Sequence, residues 1–302
     1  MTTRRRFLTI SAAAIVCPSI GAAQSIHTWQ GAALGAHATL RLSHPDAKAI
    51  SAKVATEISR LEDVFSLYRP ESALSQLNSA GMLKAPPFEL LECLSVAGAV
   101  HAGSGGRFDP TIQPLWESYA GASALGNLPD RDTFDAAKAL TGWNRVTFNS
   151  DVITMQQGMK LTLNGIAQGY IADCVAEMLN AEGLTDILID SGEFRAIGGH
   201  PDGGAWPVKL ASGSEIALKT RALATSAPLG TTFDATGLVG HILNPRDGLP
   251  ARATWQEITV TANSAALADA LSTTACLFET RPEIDTCLAQ FRNVKLESAV
   301  AV

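Results

Sequence analysis

Apolar residues recur at helical spacing behind Asp46, a residue type that often caps helices. The apolar positions that share one face are Ile50, Val54, Ile58, Leu61 and Phe65. This spacing of three and four residues predicts an amphipathic helix in the first quarter of the chain. Before it, residues 27–43 alternate between apolar and polar and carry glycines, which predicts strands.

Further along, helical and strand patterns occur in separate blocks. Helices are predicted through Leu91, Leu94 and Ala97, and over 130–140, 166–181, 265–278 and 282–291. Strands are predicted within 145–163, at 186–190 and through much of 206–260, where glycine turns interrupt the pattern. Strand blocks that mix with separate helices predict an α+β fold of mixed sheets with packed helices.

Composition excludes some classes of protein. Of 302 residues, 46% are hydrophobic and 17% are charged, which is typical of a packed globular chain and not of a disordered one. The net charge is −6 and no basic patch stands out after the N-terminus, so we do not expect a nucleic-acid partner.

The N-terminus predicts an export signal. A basic start, Thr3-Arg4-Arg5-Arg6-Phe7-Leu8, precedes an apolar run over 9–20 and the small residues 21–23. The paired arginines before Phe-Leu are typical of a twin-arginine signal, and an ordinary secretory signal with extra arginines is the alternative. We therefore predict a signal over 1–23 and one mature domain over 24–302. That domain is expected in the periplasm and not inserted in the membrane.

Cysteine spacing points to no metal or redox motif in the mature part. The four cysteines there are Cys93, Cys174, Cys276 and Cys287. Two of them fall in apolar helical patterns, so we expect buried free thiols, although an oxidising compartment would also permit pairing.

Four segments carry residue types suited to chemistry. The first is Phe65-Ser66-Leu67-Tyr68-Arg69, with Ser75 and Asn78 downstream. The second runs from Gly106 to Trp116, and the third from Leu163 to Asp173. The fourth joins 240–248 to Ala268-Asp269-Ala270-Leu271-Ser272-Thr273.

Asp269 and Thr273 are four residues apart in a predicted helix and therefore share one face. A carboxylate and a hydroxyl on one face suit a hard cation such as Mg²⁺, which prefers oxygen ligands. By themselves the two residues fit equally an exposed Asp and a Thr that bonds to its own helix turn.

Three other positions each have a plain alternative when taken singly. His241, predicted in an apolar strand over 238–243, could be a base or a phosphate contact, or a hydrogen-bonded core histidine. The glycine before the predicted 166–181 helix leaves free amides that suit a phosphate, or it serves close packing. Tyr68 could stack on a flat ring, or belong to the core.

Together, the four segments resemble the ApbE family of FAD:protein FMN transferases. The resemblance extends from about Leu34 to Phe278 and follows the family's order of motifs: FSxY, GxFDPTxxPL, GIAxGY, a strand that ends near Gly192, HIxxPRxG and ADALST. Several motifs in the right order are far more specific than any one of them.

The resemblance implies a site and a reaction. Asp269, Thr273 and a backbone carbonyl near Gly165 would bind Mg²⁺. The residues that would line the FAD site are Tyr68, Asp109, Gln168 and His241. The implied activity is Mg²⁺-dependent transfer of FMN from FAD to a Thr or Ser of a partner protein, with Asp269 and His241 as the catalytic residues.

Some positions depart from the family's pattern. Most members carry Asp where this chain has Thr162, and Lys or Glu where it has Gln168; the usual Met-Gly-Thr opening is Leu34-Gly35-Ala36. A missing carboxylate at Thr162 would remove charge beside the metal. The LNGIAQGY stretch, residues 191–195 and the twin-arginine signal resemble the NosX-like branch. That branch is linked to denitrification, where it flavinylates the membrane protein NosR during maturation of nitrous oxide reductase.

Two alternative functions stay open. An FAD pyrophosphatase would use the same site with water in place of the protein hydroxyl. A non-catalytic FAD carrier would need no Mg²⁺ at the pyrophosphate, so the Asp269–Thr273 pair disfavours it, whereas the absent Asp at position 162 favours it slightly.

Overall fold

The computed structural model describes residues 25–302, which form twelve strands and eight α-helices. The strands are β1 His27–Ala33, β2 Ala36–Leu42, β3 Met82–Lys84, β4 Thr147–Phe148, β5 Val152–Thr154, β6 Ile187–Asp190, β7 Phe194–Ile197, β8 Trp206–Lys209, β9 Glu215–Leu218, β10 Ala222–Ser226, β11 Trp255–Ala262 and β12 Lys295–Ala301. The helices are α1 Ala47–Phe65, α2 Ala73–Ala80, α3 Phe88–Gly103, α4 Gln113–Ser123, α5 Arg131–Ala139, α6 Ala167–Ala181, α7 Ala265–Ala275 and α8 Arg281–Leu288.

One large sheet organises these elements. Its seven strands have the order β1-β2-β6-β7-β10-β11-β12, and every neighbouring pair is antiparallel. A three-stranded sheet, β3-β5-β4, and the β8–β9 hairpin are separate from it. Antiparallel sheets with helices packed against them confirm the predicted α+β class.

Helix α7 lies in the interior. Nine of its eleven residues are buried, and it packs against α3, α6, β10 and β11. Alanines dominate its sequence, which allows such close packing, and Asp269 and Ser272 are the polar residues buried in its middle. A helix buried on nearly every side holds its polar side chains in fixed positions.

The sequence pattern predicts α1, α6 and α7 close to their observed bounds. It misses α2, although Ser72 caps that helix by accepting from the N–H of Ser75 and Gly81 ends it in the left-handed region, at φ 69°. It also misses α4, whose second residue is Pro114, because a turn-rich stretch follows directly. His241 lies between isolated bridges and not in the predicted strand.

Two other sequence predictions concern the cysteines and the N-terminus. The four cysteines at 93, 174, 276 and 287 are free thiols, and all but Cys174 are buried. The predicted signal over 1–23 lies outside the described residues. Within 25–302, no helix combines the length and apolar character that crossing a bilayer requires.

Candidate functional site

The start of α7 is fixed by a carboxylate from α6. Asp173 accepts hydrogen bonds from the backbone N–H groups of Ala265 and Ala266, each at 2.9 Å, and from the Ser264 hydroxyl at 2.7 Å. Ser264 in turn caps the helix by accepting from the N–H of Leu267. A negative charge at this end also complements the helix dipole, so Asp173 helps to fix the N-terminus of α7 against α6.

Asp269 and Thr273 lie on α7 with the predicted four-residue spacing. The Asp269 side chain is buried, with 3% of the residue exposed, and its Oδ2 accepts from the backbone N–H of Gly169 at 3.3 Å. The Thr273 hydroxyl lies 3.1 Å from that of Ser226 on β10. Two oxygen ligands therefore face the junction of α7, α6 and β10.

Burial controls the protonation of Asp269. It raises the pKa of this carboxyl to about 8, and the Gly169 N–H offsets only part of that effect. Burial therefore disfavours the charged form of Asp269 when no positive charge is nearby. A divalent cation would favour the carboxylate, and its binding would have to displace any proton that the group holds.

The turn before α6 touches this face of α7. A Cβ built on Gly165 would lie 3.1 Å from Thr273 Oγ1, so the Gly165 backbone is close to the threonine hydroxyl. Gln168 follows in the first turn of α6, with its side chain beside Gly192 and its backbone carbonyl accepting from the Ser191 hydroxyl at 3.1 Å. The structure thus brings together Gly165, Gln168, Asp269 and Thr273.

The donor set fits a hard cation. The available atoms are the Asp269 carboxylate, the hydroxyls of Thr273 and Ser226, and backbone carbonyls, and all of them are oxygens. Across residues 25–302 no three His, Cys, Asp or Glu side chains converge in a way that could hold a metal ion. Oxygens from few protein groups match Mg²⁺, which keeps waters and substrate phosphates as its other ligands.

Hydrogen bonds tie the first and second segments to the third. Asn78 on α2 donates from Nδ2 to the Leu161 carbonyl at 2.8 Å and accepts from the Leu161 N–H at 2.7 Å. One residue on, the Thr162 N–H donates to the carbonyl of Pro110 at 2.8 Å. Both earlier segments are therefore anchored on the irregular stretch that leads into Gly165.

The fourth segment is tied to the second and the third. Arg246 donates from Nη2 to the Gly105 carbonyl at 2.8 Å, directly before the second segment. Asp269 receives the Gly169 N–H of the third. Segments from four distant parts of the chain thus form one connected region, as a shared binding site requires.

His241 is held as a neutral imidazole. Its Nδ1 lies 3.0 Å from the Thr231 carbonyl, and because a carbonyl can only accept, Nδ1 carries the proton. Burial lowers the pKa of the ring and outweighs the carbonyls of Thr231 and Pro228, which favour the charged form. Nε2 of the neutral ring is then unprotonated and able to take up a proton.

Among the described residues, no hydrogen bond joins Tyr68 or Asp109 to the cluster around Thr273. Tyr68 is 70% exposed, in a turn where its N–H donates to the Ser66 hydroxyl at 3.1 Å. Asp109 is buried and stabilises its own turn. It accepts from the N–H and hydroxyl of Thr111 at 2.8 and 2.6 Å, and from the Trp143 N–H at 3.2 Å. The exposed Tyr68 ring can stack on a flat ligand, whereas the Asp109 side chain stabilises the loop in which Asp109 lies.

Sequence reasoning missed three residues at this junction. Ser226 falls in no recognised motif, and its role follows only from the pairing of β10 against α7. Asp173 closes the third segment, and its spacing of four from Gly169 was the available signal. Glu193 lies in the 191–195 stretch and is buried, with 6% of the residue exposed.

Comparison with known proteins matches this architecture. The model of the ApbE family matches residues 34–294. The FAD:protein FMN transferase of Chlamydia pneumoniae is 27% identical over 252 residues, which is 80% of this chain and 80% of that protein. The enzyme of the same name from Klebsiella pneumoniae (strain 342) is 27% identical over 247 residues, covering 78% of this chain and 77% of its own.

Solved structures show the same fold. The apo form of the flavinyl transferase ApbE from Pseudomonas stutzeri superposes with a TM-score of 0.79 at 24% identity, over 92% of this chain and 94% of that one. The flavin transferase ApbE from Vibrio cholerae gives a TM-score of 0.75 at 20% identity, over 91% and 98% of the two chains. The predicted ApbE-like fold is therefore confirmed.

Proposed function

The chain belongs to the ApbE family, and from that premise we propose that it is a transferase that attaches FMN from FAD covalently to a partner protein. The observation that carries the proposal is the buried Asp269 beside Thr273, against the Gly165 turn. The names of the curated relatives, FAD:protein FMN transferase, support the same activity.

In the proposed reaction, a Thr or Ser hydroxyl of the acceptor attacks the FMN-side phosphorus of FAD. A new P–O bond forms to the acceptor, the pyrophosphate P–O bond breaks, and AMP leaves. The hydroxyl proton passes to a base, for which His241 is the candidate because its ring is neutral and Nδ1 already holds a proton. No covalent intermediate with this chain is needed.

We further propose that the reaction depends on Mg²⁺. Asp269, Thr273 and a backbone carbonyl near Gly165 would hold the ion, which neutralises charge on the pyrophosphate. The chain's own part is to keep these oxygens fixed on a buried helix, since phosphoryl transfer relies mainly on positioning and charge compensation. Tyr68, Asp109 and Gln168 are proposed to line the FAD site.

The proposed acceptor is an exported or membrane-bound protein. The Arg4-Arg5 signal supports delivery of this chain to the periplasm, where enzyme and acceptor must meet. The LNGIAQGY variant of the third segment supports a NosR-like acceptor and a role in nitrous oxide reductase maturation.

The test is to incubate the mature protein with FAD, Mg²⁺ and the flavin-binding domain of a NosR-like protein, then measure the acceptor mass. We expect the acceptor to gain the mass of FMN while AMP is released. Asp269→Asn should stay folded, because it keeps the side-chain volume, and should lose transfer at least about 100-fold, since a positioned charge is removed. Transfer near the parent rate in Asp269→Asn would contradict the proposed role of the carboxylate.

The same assay separates the two alternatives. AMP and free FMN without any labelled acceptor would favour a pyrophosphatase, in which water replaces the hydroxyl. FAD that stays bound and uncleaved would favour a carrier. Glu257→Gln serves as the control, because this buried carboxyl lies opposite Val300 of the edge strand β12 and has no part in the proposed chemistry.

A further inference from the structure

Glu193 is a buried carboxylate without a counter-ion. The residue is 6% exposed, and its Oε2 has no hydrogen-bond partner among the described residues. No Lys, Arg or His side chain of residues 25–302 forms an ion pair with it; the nearby Arg195 instead places Nε 3.0 Å from Asp173. An unpaired buried charge costs several kcal/mol, so this carboxyl is charged only when a positive charge compensates it.

The surroundings of Glu193 locate it at the cation site. On one side, Gly192 packs against the Gln168 side chain, in the first turn of α6. On the other, the pairing of β7 with β10 sets Phe194 opposite Leu223, which brings Glu193 towards the end of β10 that carries Thr225. Thr225 is followed directly by Ser226, whose hydroxyl lies 3.1 Å from that of Thr273. The carboxyl therefore lies between the two elements that flank the Asp269–Thr273 face.

Two other acidic side chains act on Glu193. Burial raises the pKa of Glu193, and the negative charges of Asp269 and then Asp190 raise it further. Asp269 alone would supply a single negative charge to a divalent ion.

We propose that Glu193 is a further cation-binding residue of this site, whose free Oε2 faces the ion that Asp269 and Thr273 bind. This inference rests on the proposed Mg²⁺ site. With Glu193 the protein contributes two negative charges to that site, so a divalent cation is neutralised before the phosphates of FAD arrive. Glu193 would also give the site a second carboxylate, which this chain lacks at position 162, where it has Thr162 in place of the family's usual Asp.

The test measures metal binding without turnover. Mn²⁺ is titrated into FAD-free mature protein, and free Mn²⁺ is followed by electron paramagnetic resonance. Glu193→Gln keeps the shape and removes the charge. We expect it to weaken Mn²⁺ binding by about 10- to 100-fold, the range seen when groups that support a metal site are removed. Glu257→Gln is the matched control, since Glu257 is also buried with one unpartnered oxygen, and should bind Mn²⁺ like the parent.

Thermal unfolding distinguishes a cation-binding role for Glu193 from a purely structural one. In EDTA at pH 8, Glu193→Gln should be at least as stable as the parent, because it removes a buried carboxyl whose raised pKa destabilises the folded state at this pH. Added Mn²⁺ should raise its melting temperature less than it raises the parent's, since stabilisation by a ligand follows its affinity. A large loss of stability in EDTA together with unchanged Mn²⁺ affinity would overturn the inference. Glu193→Asp is a second variant, which keeps the charge on a shorter side chain. It should bind Mn²⁺ more weakly than the parent because its carboxylate reaches less far, although no charge is lost.

The outcomes also separate this inference from the proposed function. If Asp269→Asn loses Mn²⁺ binding while Glu193→Gln retains it, Glu193 has no role at the ion and the proposed site stands. If the parent transfers FMN yet binds no Mn²⁺, this inference fails while the transferase activity stands. If the parent neither binds Mn²⁺ nor transfers FMN, both fail.

Discussion

The close contact between α6 and α7 predicts that a larger residue at Gly169 destabilises the protein. Gly169 lies in the first turn of α6, where its N–H donates to Asp269. A Cβ added there would come within 2.3 Å of the Ala265 carbonyl oxygen, 2.5 Å of its carbon and 2.7 Å of the Ala266 nitrogen. All three are backbone atoms at the start of α7, which no rotamer change can move.

The magnitude for Gly169→Ala follows from two opposing effects. Replacing Gly by Ala inside a helix stabilises by up to about 1 kcal/mol. Carbon atoms pack best at about 3.5–4 Å, so the helices would have to separate by about 1 Å, and such overpacking costs about 1–3 kcal/mol or more. Separation would also weaken the Gly169–Asp269 hydrogen bond, worth about 1 kcal/mol. We expect a net loss of at least about 2 kcal/mol.

The measurement is urea unfolding followed by circular dichroism, with Gly121→Ala as the matched control. Gly121 is exposed on α4, and a Cβ there would meet no atom within 4 Å. The same substitution should therefore stabilise by about 0.5–1 kcal/mol at position 121 and destabilise at position 169. Equal gains in the two variants would refute the reasoning that α6 and α7 are in backbone contact.

Two further predictions concern the buried hairpin and the N-terminus. Burial raises the pKa of Asp190 to about 6, although the hydrogen bond from the Gly192 N–H lowers it in part. Asp190 therefore binds a proton more tightly in the folded state than in the unfolded state. Asp190→Asn should stabilise the protein by at most about 3 kcal/mol above pH 6, and this gain should disappear as the pH falls from 6 towards 4, in urea unfolding at each pH. No change with pH would mean that Asp190 is better solvated than the structure indicates. Replacing Arg4 and Arg5 by Lys should abolish delivery to the periplasm, measured by cell fractionation, whereas unchanged delivery would assign the signal to another export pathway.

The sequence predicts local features of the site better than its long-range contacts. Spacing within one helix is enough to predict that Asp269 and Thr273 share a face, since helical geometry alone decides it. The proton position on His241 depends on the Thr231 carbonyl, ten residues away in an irregular stretch. The contact of Ser226 with Thr273 depends on strand β10 packing on α7 across 47 residues. Neither of these two contacts leaves a periodic signal in the chain.

The strand at the C-terminus shows the same limit. β12 completes the large sheet by pairing with β11, with register shifts between Trp255 and Glu257 and between Thr259 and Val260. Irregular pairing of this kind is set by the partner strand and not by alternation within β12 itself. Its residues therefore carry no clear strand pattern, and the sequence analysis does not find it.

The carboxylates at positions 190, 193 and 269 also explain why local rules fail at the site. Burial raises the pKa of each carboxyl, although the positive charges of Arg41 and His37 lower that of Asp190. Packing alone would favour apolar residues there, as at the neighbouring Ala268 and Ala270. Polar groups that destabilise a core are retained where they bind something, and departures from local consistency concentrate at such sites. The cost of burying Glu193 and Asp269 therefore supports the proposed cation site.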